Sequence, residues 1–468
     1  MSNVSVSTGK NNYTIAFVWL IVVFFMWGFI TVLNDLLIPH FKTIFGLNYS
    51  LATLVQLVFF GAYFVGSLIY FFISRFYGDP ILKIGYKNGL ITGLVVSAIG
   101  AALFFPAAQL ISYSAFLIAI FVIGLGFSLL QISGNPYVAV LGPEKSSSSR
   151  LNLAQGFNSL GTTLGPIIGG WAFYDALNNS EKHIDIGPLK ISYVVFALVF
   201  LLLAVMLFFA HMPKMSSSNS VDQKGRAFDF PQLRFGMLGI FFYVGAEVSI
   251  GSLMINYLEQ PSIAGITQEN GPHYLAMFWG GQMIGRFIGA VSLSSMKNKI
   301  LKYGLMVLFP VIGFVIVGSS YGFYEAIPFL ILLVVNLIAF FFGKSIANRT
   351  LYIFAIVNVL LLVIGLIVGG TVAMWCLIGI GLFNSIMWSN IFTLAIAKLG
   401  KHTAQGSSLL VMMIVGGAIL PLLSGVISDN LGITFFVFVP IVSYLYISFF
   451  GLYGYKPKTE EDLHLNDN

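Results

Sequence analysis

The chain alternates between long apolar runs and short polar segments along nearly its whole length. A helix of about 20 apolar residues crosses a bilayer core about 30 Å thick. Six such runs precede a polar, Ser-rich segment at 211–234, and eight follow it. The pattern predicts an all-α polytopic membrane protein with about fourteen transmembrane helices, near 14–40, 50–74, 86–108, 111–140, 150–176, 191–211, 233–258, 272–293, 300–319, 326–343, 350–369, 371–398, 404–428 and 431–454.

Lysine and arginine support this alternation, because they concentrate in every second loop. The turns near 109, 322, 370 and 430 carry none, and only Lys42 and the pair Lys182 and Lys190 interrupt the pattern. Loops rich in lysine and arginine stay on the cytoplasmic side of a membrane. We therefore expect a multi-pass protein of the plasma (inner) membrane with both termini in the cytoplasm. The basic loops lie near 75–87, 145–150, 214–234, 297–302, 344–349, 398–401 and 456–458.

The polar segment also divides the chain into two halves. We predict an N-terminal six-helix bundle at 1–211, a cytoplasmic linker at 212–232, a C-terminal bundle at 233–456 and a cytoplasmic tail at 457–468. Two short matches relate the halves: FFMWG (24–28) with FFYVG (241–245), and GPIIGG (165–170) with GGAILP (416–421). Repeated halves around a site near the membrane midplane are typical of secondary transporters.

Composition excludes other classes of protein. Hydrophobic residues make up 58% of the chain and charged residues 9%, far below the roughly 25% of soluble domains. The net charge of +6 comes from short loops and does not indicate nucleic-acid binding. Cys376 is the only cysteine, so no intramolecular disulfide can form, and the first apolar run has no cleavage site after it. Without a metal motif such as HExxH or a nucleophile–base pair, we expect no enzyme, no metal and no cofactor.

Several long motifs resemble the fucose/glucose/galactose permease branch of the major facilitator superfamily, and the bacterial glucose/galactose transporters most closely. They are LNDLLIPHF (33–41), GNPYVAVLGPE (134–144), RLNLAQGFNSLGTTLGP (150–166), FFYVGAEVSIGSLMINYL (241–258) and GLFNSIMWSNIFTLAIAKLGKHTAQGSSLLVMMIVGGAILP (381–421). The resemblance implies a major facilitator fold, with two six-helix bundles around a central sugar cavity. The surplus runs within 300–343 then correspond to a two-helix insertion. We expect this insertion, which contains Asn336, to lie at the periphery facing lipid, without a role in transport.

Asp35 and Glu247 are acidic residues inside predicted membrane helices, where a charge costs several kcal/mol and marks a functional candidate. The resemblance implies that Asp35 is the cation-coupling carboxylate of the first helix; the alternative is a wetted, inert helix end. Glu247 is the second candidate for cation coupling or substrate contact; the alternative is a structural acid paired with Arg286. Asn34 precedes Asp35 and joins the candidate substrate-binding residues.

The fourth helix departs from the fucose permeases, which carry a second carboxylate where this chain has Gln131. An amide cannot carry a proton, but it both donates and accepts hydrogen bonds to a sugar hydroxyl. This departure weakens the case for a two-carboxylate proton relay. Gln131 and Asn135 lie four residues apart and therefore share one helix face.

Further candidate sugar ligands lie on the fifth helix and on the tenth helix of the family fold. Gln155, Asn158 and Thr162 fall on one stripe, and family analogy assigns sugar contact to Gln155. Asn384 and Trp388 share a face, with Asn390 nearby. Trp388 would either stack on a hexose ring or anchor the helix at the membrane interface. For Arg286, four residues after Gln282, we favour a cytoplasmic gating or loop-anchoring role over substrate binding.

The sequence therefore predicts a monomeric, cation-coupled hexose symporter that works by alternating access in the lipid bilayer. The coupling ion is a proton or sodium, and the cargo is a small-molecule sugar such as glucose or galactose. The alternatives are L-fucose/proton symport, sugar efflux and, from a different class, a non-transporting sugar sensor.

Overall fold

A computed structural model of the chain describes residues 10–47, 51, 54–178, 187–213, 227–267 and 270–457. The predicted linker falls largely on residues 214–226, and the predicted tail on 458–468, both outside the described residues. The side chains at 33–36 also lie outside the description, although their backbone is helical. In the described ranges the secondary structure is helical, and no β-strand occurs.

The helices follow the apolar runs along the chain. They are α1 (Lys10–Phe45), α2 (Leu54–Tyr77), α3 (Pro80–Ile84), α4 (Tyr86–Ala102), α5 (Phe104–Gln109), α6 (Tyr113–Val140), α7 (Ser147–Asn178), α8 (Gly187–Phe209), α9 (Pro231–Glu259), α10 (Gly271–Ser292), α11 (Lys299–Tyr321), α12 (Ile327–Gly343), α13 (Ala347–Val368), α14 (Gly370–Asn384), α15 (Met387–Ala395), α16 (Thr403–Met412), α17 (Gly416–Leu431) and α18 (Phe438–Phe449).

Among the described residues, eleven helical segments are long and apolar enough to cross a membrane. A shorter apolar helix, Ile327–Gly343, accompanies them. These segments confirm an all-helical, multi-pass membrane protein. The count of about fourteen spans goes beyond them and stays a prediction.

Several helices begin or end at residues that satisfy the free backbone groups of a helix terminus. Asp79 caps α3, where its carboxylate accepts the backbone N–H of Ile81 at 2.9 Å. Asn298 caps α11 by accepting the N–H of Leu301 at 3.0 Å. Between α11 and α12 the chain turns at Gly322, whose φ of 98° is a conformation that favours glycine. Local sequence therefore determines these boundaries.

The first compact unit contains Met1–Gly142, Phe157–Gly225 and Gly400–Met412. Its core forms where α4 packs against α6 and α8, and where α2 packs against α6. The short helix α16, from late in the chain, packs against α2 and α6. Helix α1 crosses α7 closely, because a Cβ atom at Gly161 would lie 2.2 Å from the carbonyl oxygen of Phe25.

The second compact unit contains Pro143–Gly156, Arg226–Leu399 and Met413–Asn468. Helix α9 packs against α17, α18 and α15, and α14 packs against α10 and α13. The first residues of α7 also belong here: Ser148 hydrogen bonds to Thr393 at 2.6 Å, and Asn152 donates to Asn390 Oδ1 at 3.2 Å. Each unit thus combines a long stretch from one half of the chain with a short segment from the other.

Helix α12 of the predicted insertion has an exposed face, with Ile331 and Phe341, as expected for a peripheral helix, and a buried face. Asn336 is fully buried, and its amide donates to the carbonyl oxygen of Leu382 in α14 at 3.2 Å. Phe329 and Leu333 on the same face are also fully buried. An amide side chain facing hydrocarbon would be left without a partner, so this face packs against protein instead.

Candidate functional site

Polar side chains gather at one place in the first unit, which we call the Gln131 cluster (Trp27, Tyr63, Gln131 and Asn135). The indole N–H of Trp27 donates to the hydroxyl of Tyr63 at 3.2 Å, and the side chain of Gln131 lies near the same hydroxyl. Asn135 donates to Gln131 Oε1 at 3.4 Å, as expected for residues four apart on α6. The cluster is uncharged and offers donors and acceptors of the kind that bind hydroxyl groups.

The predicted cation-coupling residue Asp35 and its neighbour Asn34 belong to α1, but their side chains lie outside the described residues. The structure does place the helix that carries them. The amide of Asn158 in α7 donates to the carbonyl oxygen of Phe24 at 2.9 Å, and a Cβ atom at Gly28 would lie 2.1 Å from the carbonyl oxygen of Asn158. Asn158 therefore uses its amide N–H to hold α1 against α7.

Gln155 and Thr162, which the sequence placed on the same stripe, have separate surroundings. Gln155 belongs to the second unit, whereas Asn158 and Thr162 belong to the first. The backbone carbonyl of Gln155 accepts a hydrogen bond from Arg286, and its side chain is buried. Thr162 donates to the carbonyl oxygen of Ser159 within its own helix.

The second unit contains the Glu247 cluster (Tyr243, Glu247, Gln282 and Arg286). Tyr243, one helical turn before Glu247 on α9, donates its hydroxyl proton to the carboxylate at 2.6 Å. Gln282 on α10 donates to the same carboxylate oxygen and to the hydroxyl of Tyr243. Arg286 interacts electrostatically with the carboxylate. Two hydrogen-bond donors and a cation therefore hold a partly accessible carboxylate inside a membrane-spanning helix.

Arg286 also contacts the backbone of two segments outside the Glu247 cluster. Its guanidinium donates to the carbonyl oxygens of Ser385 and Gln155, each at 3.4 Å. The gating role predicted for Arg286 is not tested by these contacts and stays a prediction. They do show that Arg286 joins the Glu247 cluster to the region between α14 and α15.

Helix α14 ends at Asn384, and α15 begins only at Met387, so the apolar run at 371–398 contains a break. Asn384 is fully buried and belongs to what we call the Asn384 cluster, with Asn358 and Tyr444. Its Oδ1 accepts hydrogen bonds from Asn358 at 3.0 Å and from Tyr444 at 2.8 Å. The amide oxygen is therefore committed to the protein.

Two buried N–H groups at this break have no hydrogen-bond partner in the described part of the chain. They are Nδ2 of Asn384 and Nε1 of Trp388. Trp388 is buried and stacks on Phe392, with ring centroids 6.2 Å apart. An unpaired buried donor costs about 1–3 kcal/mol, so both N–H groups suit a ligand that accepts hydrogen bonds. Asn390, in contrast, donates to the carbonyl oxygen of Ala347.

Sequence reasoning missed several members of these clusters. Tyr243 stands four residues before Glu247, and that spacing could have identified it. Asn358, Tyr444 and Tyr63 each lie in a different apolar run, and no motif surrounds any of them. Their proximity depends on how the helices pack, which no sequence spacing reports.

The chain is similar over most of its length to known membrane transporters. A family model described as Major Facilitator Superfamily matches residues 18–414. The glucose/galactose transporter of Brucella abortus biovar 1 (strain 9-941) is 39% identical over 453 residues, which cover 96% of this chain and 96% of the relative. The L-fucose-proton symporter of Escherichia coli (strain K12) is 30% identical over 446 residues, covering 90% of this chain and 89% of the relative.

The fold is also similar to that of solved structures. The crystal structure of the Escherichia coli fucose:proton symporter matches with a TM-score of 0.72 at 28% identity, covering 95% of this chain and 99% of that one. A bacterial homologue of the iron transporter ferroportin, in an outward-facing state, matches with a TM-score of 0.64 at 12% identity. This second likeness concerns the fold alone.

Proposed function

Because this chain belongs to the major facilitator superfamily, we propose that it is a cation-coupled symporter that imports a hexose such as glucose or galactose by alternating access. Its relatives named above are a glucose/galactose transporter and an L-fucose-proton symporter, so it is a sugar transporter of the superfamily rather than an enzyme. We place it in the plasma (inner) membrane with both termini cytoplasmic, as the basic loops predict.

The observation that carries the proposal is the hydrogen-bonded carboxylate of Glu247 within a membrane-spanning helix. An acidic group inside a membrane is costly, so its presence in a membrane-spanning helix marks a candidate ion pathway. Gln131 has no titratable group that could carry a proton, so we assign cation coupling to Asp35 and Glu247. The coupling ion is a proton or sodium, since carboxylate oxygens accept both.

The Asn384 and Gln131 clusters support a sugar as cargo. The unpaired N–H groups of Asn384 and Trp388 suit hydroxyl oxygens, and the ring of Trp388 offers an apolar face for a pyranose. Gln131 and Asn135 supply amide donors and acceptors. Our proposed substrate-binding residues also include three predicted from the sequence, and the full set is Asn34, Gln131, Asn135, Gln155, Asn158, Asn384 and Trp388, with Arg286 as the gating residue.

The test is uptake of radiolabelled glucose, galactose and fucose into proteoliposomes under an inward proton gradient or an inward sodium gradient. We expect accumulation of a hexose with one gradient, lost in Asp35→Asn and in Glu247→Gln. Glu259→Gln is the matched control, because it makes the same change at an exposed position of the same helix. Equal uptake by all variants, without gradient dependence, would refute symport and favour a facilitator or a sensor.

Fucose/proton symport is the second candidate, favoured by the Escherichia coli relative. Accumulation of fucose in preference to glucose and galactose, driven by the proton gradient, would replace the first proposal by this one. Accumulation only under an outward cation gradient would indicate efflux.

A further inference from the structure

Helices α11 and α12, predicted as an insertion, form a hairpin. Helix α11 packs against α10, which carries Gln282 and Arg286, and α12 packs against α14, which ends at Asn384. Phe309 stacks on Phe287 of α10, with ring centroids 5.3 Å apart and an interplanar angle of 19°. A Cβ atom at Gly313 would lie 2.3 Å from Ile284 of α10. Arg286 stands between these two contact residues in sequence, so α11 packs against the helix that carries it.

The hairpin is also anchored by a charged side chain at its beginning. Lys302 of α11 donates to the carbonyl oxygen of Ser294, just after α10, at 3.1 Å. It also donates to the hydroxyl of Ser345, between α12 and α13, at 3.0 Å. The hairpin is therefore joined by hydrogen bonds to its neighbours in the second unit and does not pack through apolar contacts alone.

Asn336 joins α12 to α14 by a hydrogen bond, as Lys302 joins α11 to its neighbours. It is 0% exposed, whereas Val335 and Ile338 beside it are 38% and 50% exposed. Its Nδ2 donates to the carbonyl oxygen of Leu382 at 3.2 Å, and Ser385 Oγ donates to the same oxygen at 2.6 Å. The last carbonyls of a helix have no intrahelical partner, and in a membrane each must be satisfied by protein.

The carbonyl of Leu382 lies at the break between α14 and α15, and α10 closes the other side of it. A Cβ atom at Gly285 would lie 2.7 Å from this carbonyl oxygen. The last turn of α14 is thus fixed by a close approach of α10 and by a hydrogen bond from α12. Asn384 follows Leu382 by two residues, and Trp388 follows by six.

We propose that Asn336 is a positioning residue for sugar binding: by holding the carbonyl of Leu382, it fixes the helix break that aims Asn384 and Trp388. This inference rests on the proposed sugar site at those two residues. The helical hairpin then acts as a support for that site. Asn336 itself touches no substrate.

The test compares Asn336→Leu, which removes the donor but keeps the same number and branching of side-chain heavy atoms, with Asn336→Gln, which keeps an amide, and with Ile338→Ala on the exposed face. KM and Vmax of sugar uptake are measured in proteoliposomes at equal transporter content. We expect Asn336→Leu to raise KM about three- to tenfold, the range of one hydrogen bond between membrane helices, with Vmax within about twofold. We expect KM of Asn336→Gln and Ile338→Ala within about twofold of the parent.

A role in stability alone would reduce the amount of active transporter and therefore Vmax, leaving KM unchanged. An unchanged KM in Asn336→Leu, or an equal rise in Asn336→Gln or Ile338→Ala, would overturn the proposal. If Asn336→Leu does not fold, Asn336→Thr decides in the same way, because its hydroxyl is too short to reach Leu382 but can bond within its own helix. Absence of sugar uptake by the parent chain would refute the proposed function instead, before any variant is compared.

Discussion

The close crossing of α10 and α14 offers a stringent test of the structure, because backbone meets backbone there. A Cβ atom added at Gly381 would lie 2.1 Å from the carbonyl oxygen of Phe278 and 2.9 Å from its carbonyl carbon. The distance to the oxygen is roughly 1 Å shorter than a van der Waals contact, and the distance to the carbon is roughly 0.6 Å or more shorter. The three nearest described atoms all belong to the backbone of Phe278, which cannot turn aside as a side chain can, so Gly381→Ala must push the two helices apart.

The size of the effect follows from two opposing terms. Overpacking against a rigid neighbour costs about 1–3 kcal/mol, and backbone against backbone lies at the upper end. Alanine gains about 1 kcal/mol over glycine in a helix, which offsets part of that cost. We expect Gly381→Ala to reduce the free energy of unfolding by about 2 kcal/mol. It should also raise KM for sugar, since Asn384 lies three residues further on.

The matched control is Gly280→Ala on α10, where no described residue lies within 4 Å of the added Cβ atom. Thermal unfolding of the detergent-solubilised protein and sugar uptake measure both variants. We expect the melting temperature of Gly381→Ala to fall by about 2–4 °C and that of Gly280→Ala to remain unchanged or to rise. Equal melting temperatures and equal KM values for the two variants would refute the close crossing.

Three further predictions concern hydrogen bonds and charge. Tyr243→Phe removes a donor to the carboxylate of Glu247, worth about 1.5–3 kcal/mol, and should reduce gradient-driven accumulation while sugar counterflow is retained. Lys87→Met removes two hydrogen bonds to carbonyl oxygens at the end of α8 and should destabilise the protein by about 1 kcal/mol, seen in thermal unfolding. Burial raises the pKa of Asp79, which lies between α2 and α3, so the folded state binds its proton more tightly than the unfolded state. The stability contributed by Asp79 is therefore present at low pH. It falls as the pH rises from the pKa of the unfolded state towards the raised pKa of the folded state. Asp79→Asn should remove this part of the pH dependence of the melting temperature.

Each of the three has a control of the same chemical kind. Tyr257→Phe changes a buried tyrosine of α9, Lys145→Met an exposed loop lysine, and Asp429→Asn an exposed carboxylate. Accumulation that falls equally in Tyr257→Phe, or stability lost equally in Lys145→Met, would contradict the first two. A pH dependence of melting in Asp79→Asn that matches the parent would contradict the third.

Hydropathy alone determined where most helices lie. The run predicted at 300–319 appears as α11 (Lys299–Tyr321), and the run at 86–108 as α4 and α5, which together end at Gln109. The sequence reveals such runs because a membrane-spanning helix needs about 20 consecutive apolar residues. The bilayer core offers no hydrogen-bond partner to the backbone, so the backbone groups must pair within the helix. Intramembrane acids are equally readable, since they are rare and costly, and Glu247 was identified in this way.

Helix packing determined which polar groups of different helices form hydrogen bonds with one another. The break after Asn384 lies inside a continuous apolar run, so hydropathy did not predict it. The structure tolerates the break because Asn336 and Arg286, from other helices, donate hydrogen bonds to the carbonyl oxygens of Leu382 and Ser385. Tyr444 and Asn358 meet at Asn384 although they are 86 residues apart in the chain. The sequence by itself therefore determined the membrane environment, the spans and the acidic candidate, each a local property of composition. Only the tertiary structure decided which polar groups are neighbours, because that depends on helix contacts between residues distant in sequence.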